Sequence, residues 1–493
     1  MVSAGDVASC ALLQDGRVYC WGMQNRGRLG NGVAEGIILG LSNTAESAGP
    51  VPLVGGAGAT IVEIAQTHAC ALLDTGDVQC WGDAARGKLG YGQGDNLHLG
   101  TATRPADDLG VVPIGGTAVD MAVGRFHVCV LLTTAQVRCW GDFDAGRAGQ
   151  GGGPFNASFV GDDEPASAAS LIPTIGGVDV LSVSAGRFAT CMLLVGGSVQ
   201  CFGGAASGIL GYNGGSLHAI GDDEPANAGG LVGLMPGRTA VQVAMGGYVV
   251  CALLDDGRVQ CWGRSPAHGS SISSQFMLGD NEPASDAGYL GLVGTGATAT
   301  RVTCGERHCC VILATGGLQC WGENPSGQLG YGHTIDTTVA GGTAPANSNG
   351  LVPMSSGGGD VVVWADGGVL HTCAVLSTGE MRCWGDNANG QLGLNNAATA
   401  VGDDEAVWSV GFVTVPVVAT PLCTPSSSPS ASPSGTGSPS ATPSSSPSAS
   451  PSGTGSPSAT PSSSPSVSQS APARARACRS TGQMKPSQVC VVQ

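Results

Sequence analysis

The sequence predicts an all-β fold, a seven-bladed β-propeller made of seven repeats of about 60 residues, followed by a disordered Ser/Pro-rich tail. Three observations carry that expectation. A Cys-Trp-Gly-like landmark recurs with its cysteine at 20, 80, 139, 201, 261, 320 and 383, at intervals of 60, 59, 62, 60, 59 and 63 residues. Each of these cysteines has a partner ten positions earlier, so "CALLQDGRVYCWG" at 10 returns as "CALLDTGDVQCWG" at 70 and "CALLDDGRVQCWG" at 251. Glycine supplies 82 of 493 residues without a Gly-X-Y period, which points to turn-rich β structure and away from collagen.

Within a repeat, the segment "V-x-x-A" reads as the first strand and leads into a hairpin. A three-residue loop with glycine in the left-handed position fits tips such as Asp15-Gly16, Thr75-Gly76 and Asp256-Gly257. That loop sets Leu13 opposite Arg17, Leu12 opposite Val18, Ala11 opposite Tyr19 and Cys10 opposite Cys20; a two-residue loop would miss the register by one. After the Trp come glycine-rich turns, "GRLGNG" at 27, "GKLGYG" at 87, "GQLGYG" at 327 and "GQLGL" at 390. A variable loop and a short apolar strand such as "LVP" or "VVP" complete about four strands per unit. A solenoid is the rival architecture, but seven matched four-stranded units favour a closed ring. Both a self-contained and an interlocked closure are compatible with the ends of the repeat array.

These residues resemble the repeat of the regulator of chromosome condensation family. Copies six and seven carry it best, through "GERHCCVILATGGLQCWGENPSGQLGYG" and "GGVLHTCAVLSTGEMRCWGDNANGQLG". The resemblance covers roughly residues 1 to 420. It implies a seven-bladed propeller, and the chain is similar in this to the β-lactamase inhibitor II type of propeller. Copy five loses the Gly-Gln-Leu-Gly segment after "CWGRSPAHGSSISSQF" and copy four has Phe202 for Trp, so those two blades are expected to be irregular.

Fourteen of 19 cysteines fall in the hairpin pairs Cys10–Cys20, Cys70–Cys80, Cys129–Cys139, Cys191–Cys201, Cys251–Cys261, Cys310–Cys320 and Cys373–Cys383. Opposed, non-hydrogen-bonded strand positions bring Cα atoms to within disulfide range, and seven intra-blade disulfides are expected. The competing readings are small buried hydrophobes and zinc. Obligate pairs in every copy argue against the first, and C-x₉-C lacks the usual zinc spacing. The most metal-like cluster is Cys304, His308, Cys309 and Cys310, where a packing role for Cys304 is the expectation. Disulfides on this scale imply an oxidising compartment. No leader opens the chain, since Met1 is followed within nine residues by a repeat cysteine; the expectation is that this start is internal.

Composition excludes some partners. A formal charge of −16 disfavours nucleic acid and anionic membranes, and no apolar run approaches the ~18 residues of a spanning helix. The expected domain plan is a propeller over 1–423, a Ser/Pro-rich linker or stalk over 424–470 and a short Cys-containing segment over 471–493. The stalk phrase "TPSSSPSASPSGTGSPSA" repeats from 424 and 442 and is similar to the Ser-Pro spacers of algal wall glycoproteins. Fully extended, it would reach on the order of 145 Å. An unmodified linker is the alternative. A lone sequon stands at Asn156-Ala157-Ser158.

Four loops carry acidic phrases: Asp162, Asp163 and Glu164; Asp222, Asp223 and Glu224; Asp280 and Glu282; Asp403, Asp404 and Glu405. Their common place in the repeat predicts one acidic rim, either simply solvated or binding calcium or a cationic partner. His68, His127, His308 and His371 recur two places before the first hairpin cysteine. In the resembling family that histidine is part of the repeat's structural signature. No Ser-His-Asp set, Walker loop or H-E-x-x-H is visible, so no enzyme activity, cofactor or metal is expected. Light-sensing members use clustered tryptophans in "G-W-R-H-T", which "GERHC" at 305 and "GVLHT" at 368 lack. The expected function is a non-enzymatic protein- or glycan-binding propeller, monomeric and secreted or at the cell wall or surface. The alternative is an intracellular regulator resembling a guanine-nucleotide exchange factor for a small GTPase.

Overall fold

A computed structural model describes residues 1–416, apart from 152–158, 213–218, 265–266, 270–276, 337–345, 357–358 and 397. The Ser/Pro segment, Cys423, Cys478, Cys490 and the sequon at Asn156 lie outside the described residues. The described part is a ring of seven antiparallel sheets, each contiguous in sequence. Blade 1 is typical: strands Val2–Ala4, Ala8–Leu12, Val18–Met23 and Ile38–Leu39 lie side by side in chain order. The first strands of all seven blades line a central channel of about 270 Å³.

The hairpin follows the pattern of its sequence. Cys10 pairs with Cys20 and Leu12 with Val18, while Leu13 N–H donates to Arg17 O at 2.9 Å. Gly16 takes φ +83° at the tip, a conformation open to glycine at little cost. In blade 3 the same place is filled by Ala135 at φ +61°. In blades 2 to 7 a β-bulge at the second residue of the first strand turns one side chain outward, so Val119, Leu181, Val241 and Val363 stand 45–51% exposed.

The outer strand differs from expectation. "LVP" is not a strand of its own but the second half of an interrupted one. The first half is a two-residue strand just before the acidic phrase, such as Ile38–Leu39 or Phe159–Val160. The "VP" segment then adds one backbone bond at the far end of the third strand, Val51 N–H to Val18 O at 2.8 Å in blade 1. Proline cannot donate to a ladder, which keeps this second contact short. Irregularity falls on blade 4, as expected, but also on blade 2. Blade 5 has a two-residue outer strand, Met277–Leu278, whereas blades 2 and 4 retain only the bridges Gly82–Leu99 and Gly203–Ile220.

Seams between blades are built by a fully buried indole. Trp81 Nε1–H of blade 2 donates to Arg28 O of blade 1 at 3.1 Å, and Trp140, Trp262, Trp321 and Trp384 repeat the bond to the preceding blade. The glycine-rich turn exists for this contact: a Cβ on Gly30 would lie 2.6 Å from Trp81 Nε1. In blade 5 Ala267 and Gly269 do the work of the missing Gly-Gln-Leu-Gly, since Trp321 donates to Ala267 O at 2.8 Å. Phe202 of blade 4 has no donor, and Thr190 Oγ1–H supplies the bond to Arg147 O at 3.0 Å.

Closure is self-contained. Blade 1 comes wholly from residues 2–39 and blade 7 from 362–401, and the two meet like any other pair. Trp21 Nε1–H donates to Gln391 O at 2.9 Å, Trp364 Nε1–H to Val2 O at 2.9 Å, and Val369 N–H to Gly5 O at 3.0 Å.

Candidate functional site

The channel wall carries a polar side chain at one level of every blade, each engaged with the next blade. Ser3, Glu63, Asp120, Ser184 and Gln242 accept from the backbone N–H of Ile64, Val123, Val183, Met245 and Val302, at 2.7–3.3 Å. Thr303 donates to Asp366 Oδ1 at 2.8 Å, and Asp366 Oδ2 accepts from Ala4 N–H at 2.9 Å, which closes the circle. Burial pushes the Glu63 carboxyl up to about 8 and raises Asp366. These carboxyls bind the ring to itself.

One mouth of the channel is different in chemistry. It is formed by the turns between the first and second strands, which read "GRF" at 124 and 186, "GGY" at 246 and "GER" at 305. Phe126 is surrounded by the guanidinium groups of Arg86, Arg125 and Arg147 at 5.1–5.5 Å from its ring centre. Tyr248 is approached by Arg187, Arg264 and Arg307 at 4.8–5.7 Å, and its ring meets Phe188 edge-on at 5.4 Å. Glu306 ties the two groups, at 2.5 Å from Arg187 and 3.6 Å from Arg125. Arg86, Arg125, Arg187 and Arg307 keep 20–50% of their side-chain surface exposed. An exposed arginine–aromatic cluster is the composition of a binding surface, because guanidinium and aromatic groups dominate interface energetics. It was not singled out from the sequence. Aligning the turn positions of the seven copies would have revealed it, since arginine and ring side chains gather there only in copies three to six.

The residues singled out from the sequence fall in three places. The fourteen hairpin cysteines lie as seven disulfide-bonded pairs with Cα–Cα distances of 4.1 Å. Cys304, expected to serve packing, is instead bonded to Cys309, its direct partner across the first two strands of blade 6. The metal-like cluster is thereby divided among disulfides, and His308 turns to Thr372.

The acidic phrases follow the outer two-residue strands of blades 3, 5 and 7 and the bridge residue Ile220 of blade 4, away from the channel, where Gly161, Gly221, Gly279 and Gly402 dock against glycines of the preceding blade. Carboxylates converge to within 4.8 Å at Asp222, Asp223 and Glu224 and again at Asp403, Asp404 and Glu405. Partial burial and hydrogen bonds from neighbouring aspartates push Glu224 up to about 7. Asp163, Asp222, Asp223 and Asp404 are exposed, while Asp162, Glu164, Asp280, Glu282, Asp403 and Glu405 are half-buried.

The histidines are seam residues. His127, His308 and His371 are fully buried, and each ring nitrogen Nε2 meets a hydroxyl of the next blade: Thr190 at 2.7 Å, Thr372 at 2.8 Å and Ser9 at 2.8 Å. Burial pulls their basicity down, to about 3, 4 and 3 respectively. For His68 the next blade has Val128 at the rung equivalent to Thr190, and burial depresses this imidazole as well.

Fold and seams together define a class: this is a seven-bladed propeller, and its repeat is similar to that of the regulator of chromosome condensation (RCC1). The RCC1 repeat matches residues 2–28, 118–147, 240–269, 299–328 and 366–391, which are the hairpin regions of blades 1, 3, 5, 6 and 7. Among individual proteins, the chain is 28% identical to the ultraviolet-B receptor UVR8 of Arabidopsis thaliana, over 68% of this chain and 67% of the receptor. It is 26% identical to the human E3 ubiquitin-protein ligase HERC2 over 77% of this chain, a span that covers only 7% of the ligase. Two solved structures share the fold: human WBSCR16 (21% identity, TM-score 0.60, 81% of this chain and 95% of that one) and yeast RCC1, Prp20, bound to Kap60 (18%, 0.57, 79% and 83%).

Proposed function

We propose that this chain is a non-enzymatic, protein-binding propeller that presents its arginine–aromatic mouth to an acidic partner, outside the cell or at its wall or surface. The cluster around Phe126, Phe188 and Tyr248 carries the reading, since it gathers partly exposed arginines, paired to Asp142, Glu306 and Glu323, on a chain whose formal charge is −16. The rest of the surface repels an acidic partner and so steers it to this mouth. Related propellers support protein binding as the class of function: yeast Prp20 is described with Kap60, Gsp1p and histones. The extracellular setting is supported by the hairpin cysteine pairs, which belong in an oxidising compartment.

The test is charge reversal. Arg187→Glu with Arg307→Glu should abolish capture of the partner and the salt sensitivity of that capture; binding unaffected by both changes and by salt overturns the mouth as the site. The setting is tested by intact mass of protein from its native source, before and after reduction. A gain of two hydrogens per cysteine pair is expected, and no gain would favour an intracellular regulator instead.

A further inference from the structure

Blade 6 alone places cysteine on both strands at the last rung of its first two strands. The equivalent pairs are Ala4–Ser9, Ile64–Ala69, Val123–Val128, Ala185–Thr190, Met245–Val250 and Gly367–Thr372. The resulting Cys304–Cys309 disulfide differs from the seven others in access. Cys304 is half-buried and lines the channel, while Cys309 and every hairpin cysteine are at most 2% exposed. Two further features bear on its chemistry. The sulfur of Cys309 lies 3.8 Å from that of Cys251 in blade 5, within a set of three sulfurs spanning no more than 4.8 Å. The channel wall that holds Cys304 mixes Arg125, Arg187 and Arg301 with Asp6, Glu63, Asp120, Glu306 and Asp366, so a thiol can reach Cys304 through a polar passage.

We propose that Cys304–Cys309 is a thiol-exchange site open to the channel, taking a small-molecule thiol, and that Cys309 passes the exchange across the seam to Cys251. The steps balance without an oxidant or reductant. The incoming thiolate attacks Cys304 Sγ, the only reachable sulfur of the pair; the Cys304–Cys309 bond breaks and its electron pair leaves on Cys309 as thiolate. Cys309 then attacks Cys251 Sγ, and the Cys251–Cys261 bond breaks with its pair leaving on Cys261. Cys261 takes the proton the incoming thiol gave up. Two disulfides existed before and two exist after: a mixed disulfide on Cys304 and a Cys251–Cys309 bond that staples blade 5 to blade 6. Exchange thus converts an intra-blade link into a covalent seam.

The inference rests on the oxidised cysteines that the proposed setting also uses, and one experiment separates the two. Oxidised full-length protein is incubated with reduced glutathione, quenched with an alkylating reagent and mapped by peptide mass. The expected result is one glutathione on Cys304, alkylation of Cys261, a Cys251–Cys309 cross-linked peptide, and the other six hairpin disulfides intact. Hairpin disulfides opening as fast as Cys304–Cys309 would overturn the site, and alkylation on Cys309 with Cys251–Cys261 intact would overturn the transfer. The Cys304→Ser, Cys309→Ser double variant keeps all seven hairpin pairs and should take up glutathione at least tenfold more slowly; an unchanged rate overturns the proposal. Hairpin cysteines found reduced before any thiol is added would instead count against the oxidising setting.

Discussion

Acid should loosen this ring through its seam histidines. His127, His308 and His371 are buried as neutral bases, held near 3, 4 and 3 against an ordinary value of 6.5. A base depressed by folding binds more protons in the unfolded chain. Its contribution is therefore whole above pH 6.5 and is lost as pH falls from there toward the folded value. Between pH 7 and pH 5 each imidazole should cost about 2 kcal/mol, from roughly 1.4 kcal/mol per pH unit below 6.5, and the three together about 6 kcal/mol. Replacing one histidine isolates its share. His127→Gln can keep a side-chain hydrogen bond to Thr190 and has no proton to gain. Its stability deficit relative to the unmodified chain, measured by denaturant unfolding with the buried tryptophans as reporters, should shrink by about 2 kcal/mol on going from pH 7 to pH 5. A deficit that stays constant or widens as pH falls would mean that the folded ring protonates its imidazole, and the linkage reasoning would be refuted.

Three other changes probe the same architecture. Phe202→Trp should stabilise blade 4 by about 1 kcal/mol, by giving Arg147 O a second donor as Gln328 O already has from Thr372 and Trp384; a lower denaturant midpoint would contradict it. Ala135→Gly should stabilise by roughly 0.5–1 kcal/mol, because alanine is held at φ +61° where the other hairpins use glycine, and thermal unfolding reads this directly. Glu63→Gln should stabilise by about 3 kcal/mol at pH 7 and by little at pH 4. An acid raised to about 8 by burial keeps its full contribution below its ordinary 4.5 and loses it as pH climbs to 8. Equal effects at both pH values would place Glu63 in water.

The parts of this molecule that were readable in the sequence are those fixed by neighbours in the chain. Cys10 meets Cys20 because a three-residue loop with Gly16 leaves no other register. What depends on contacts between blades was hidden. Trp81 and Arg28 O are 53 residues apart, and Trp21 and Gln391 O are 370 apart, so nothing local announces their bond. The carboxyls of Glu63, Asp120 and Asp366 looked like ordinary strand residues, yet each satisfies a backbone N–H of the next blade. Cys304 stands where other copies have Ala4 and Ala185, which points to packing, whereas its chemistry depends on Cys309 across the strand. The outer strand was displaced because "LVP" is the more apolar segment, although the shorter "IL" and "FV" hold the ladder. The acidic phrases recur at one place in the repeat, whereas the arginine mouth is built where the copies diverge.

The disulfides described here have one more property: each joins a cysteine to the next cysteine along the chain, from Cys10–Cys20 through Cys304–Cys309 to Cys373–Cys383. Sixteen thiols admit about two million complete pairings by simple counting. A polypeptide oxidised from its amino end as it is delivered meets the correct partner first every time, because the competitor sulfurs have not yet emerged. No late search among scrambled isomers is then required, and a ring this rich in cysteine can be made one sector at a time.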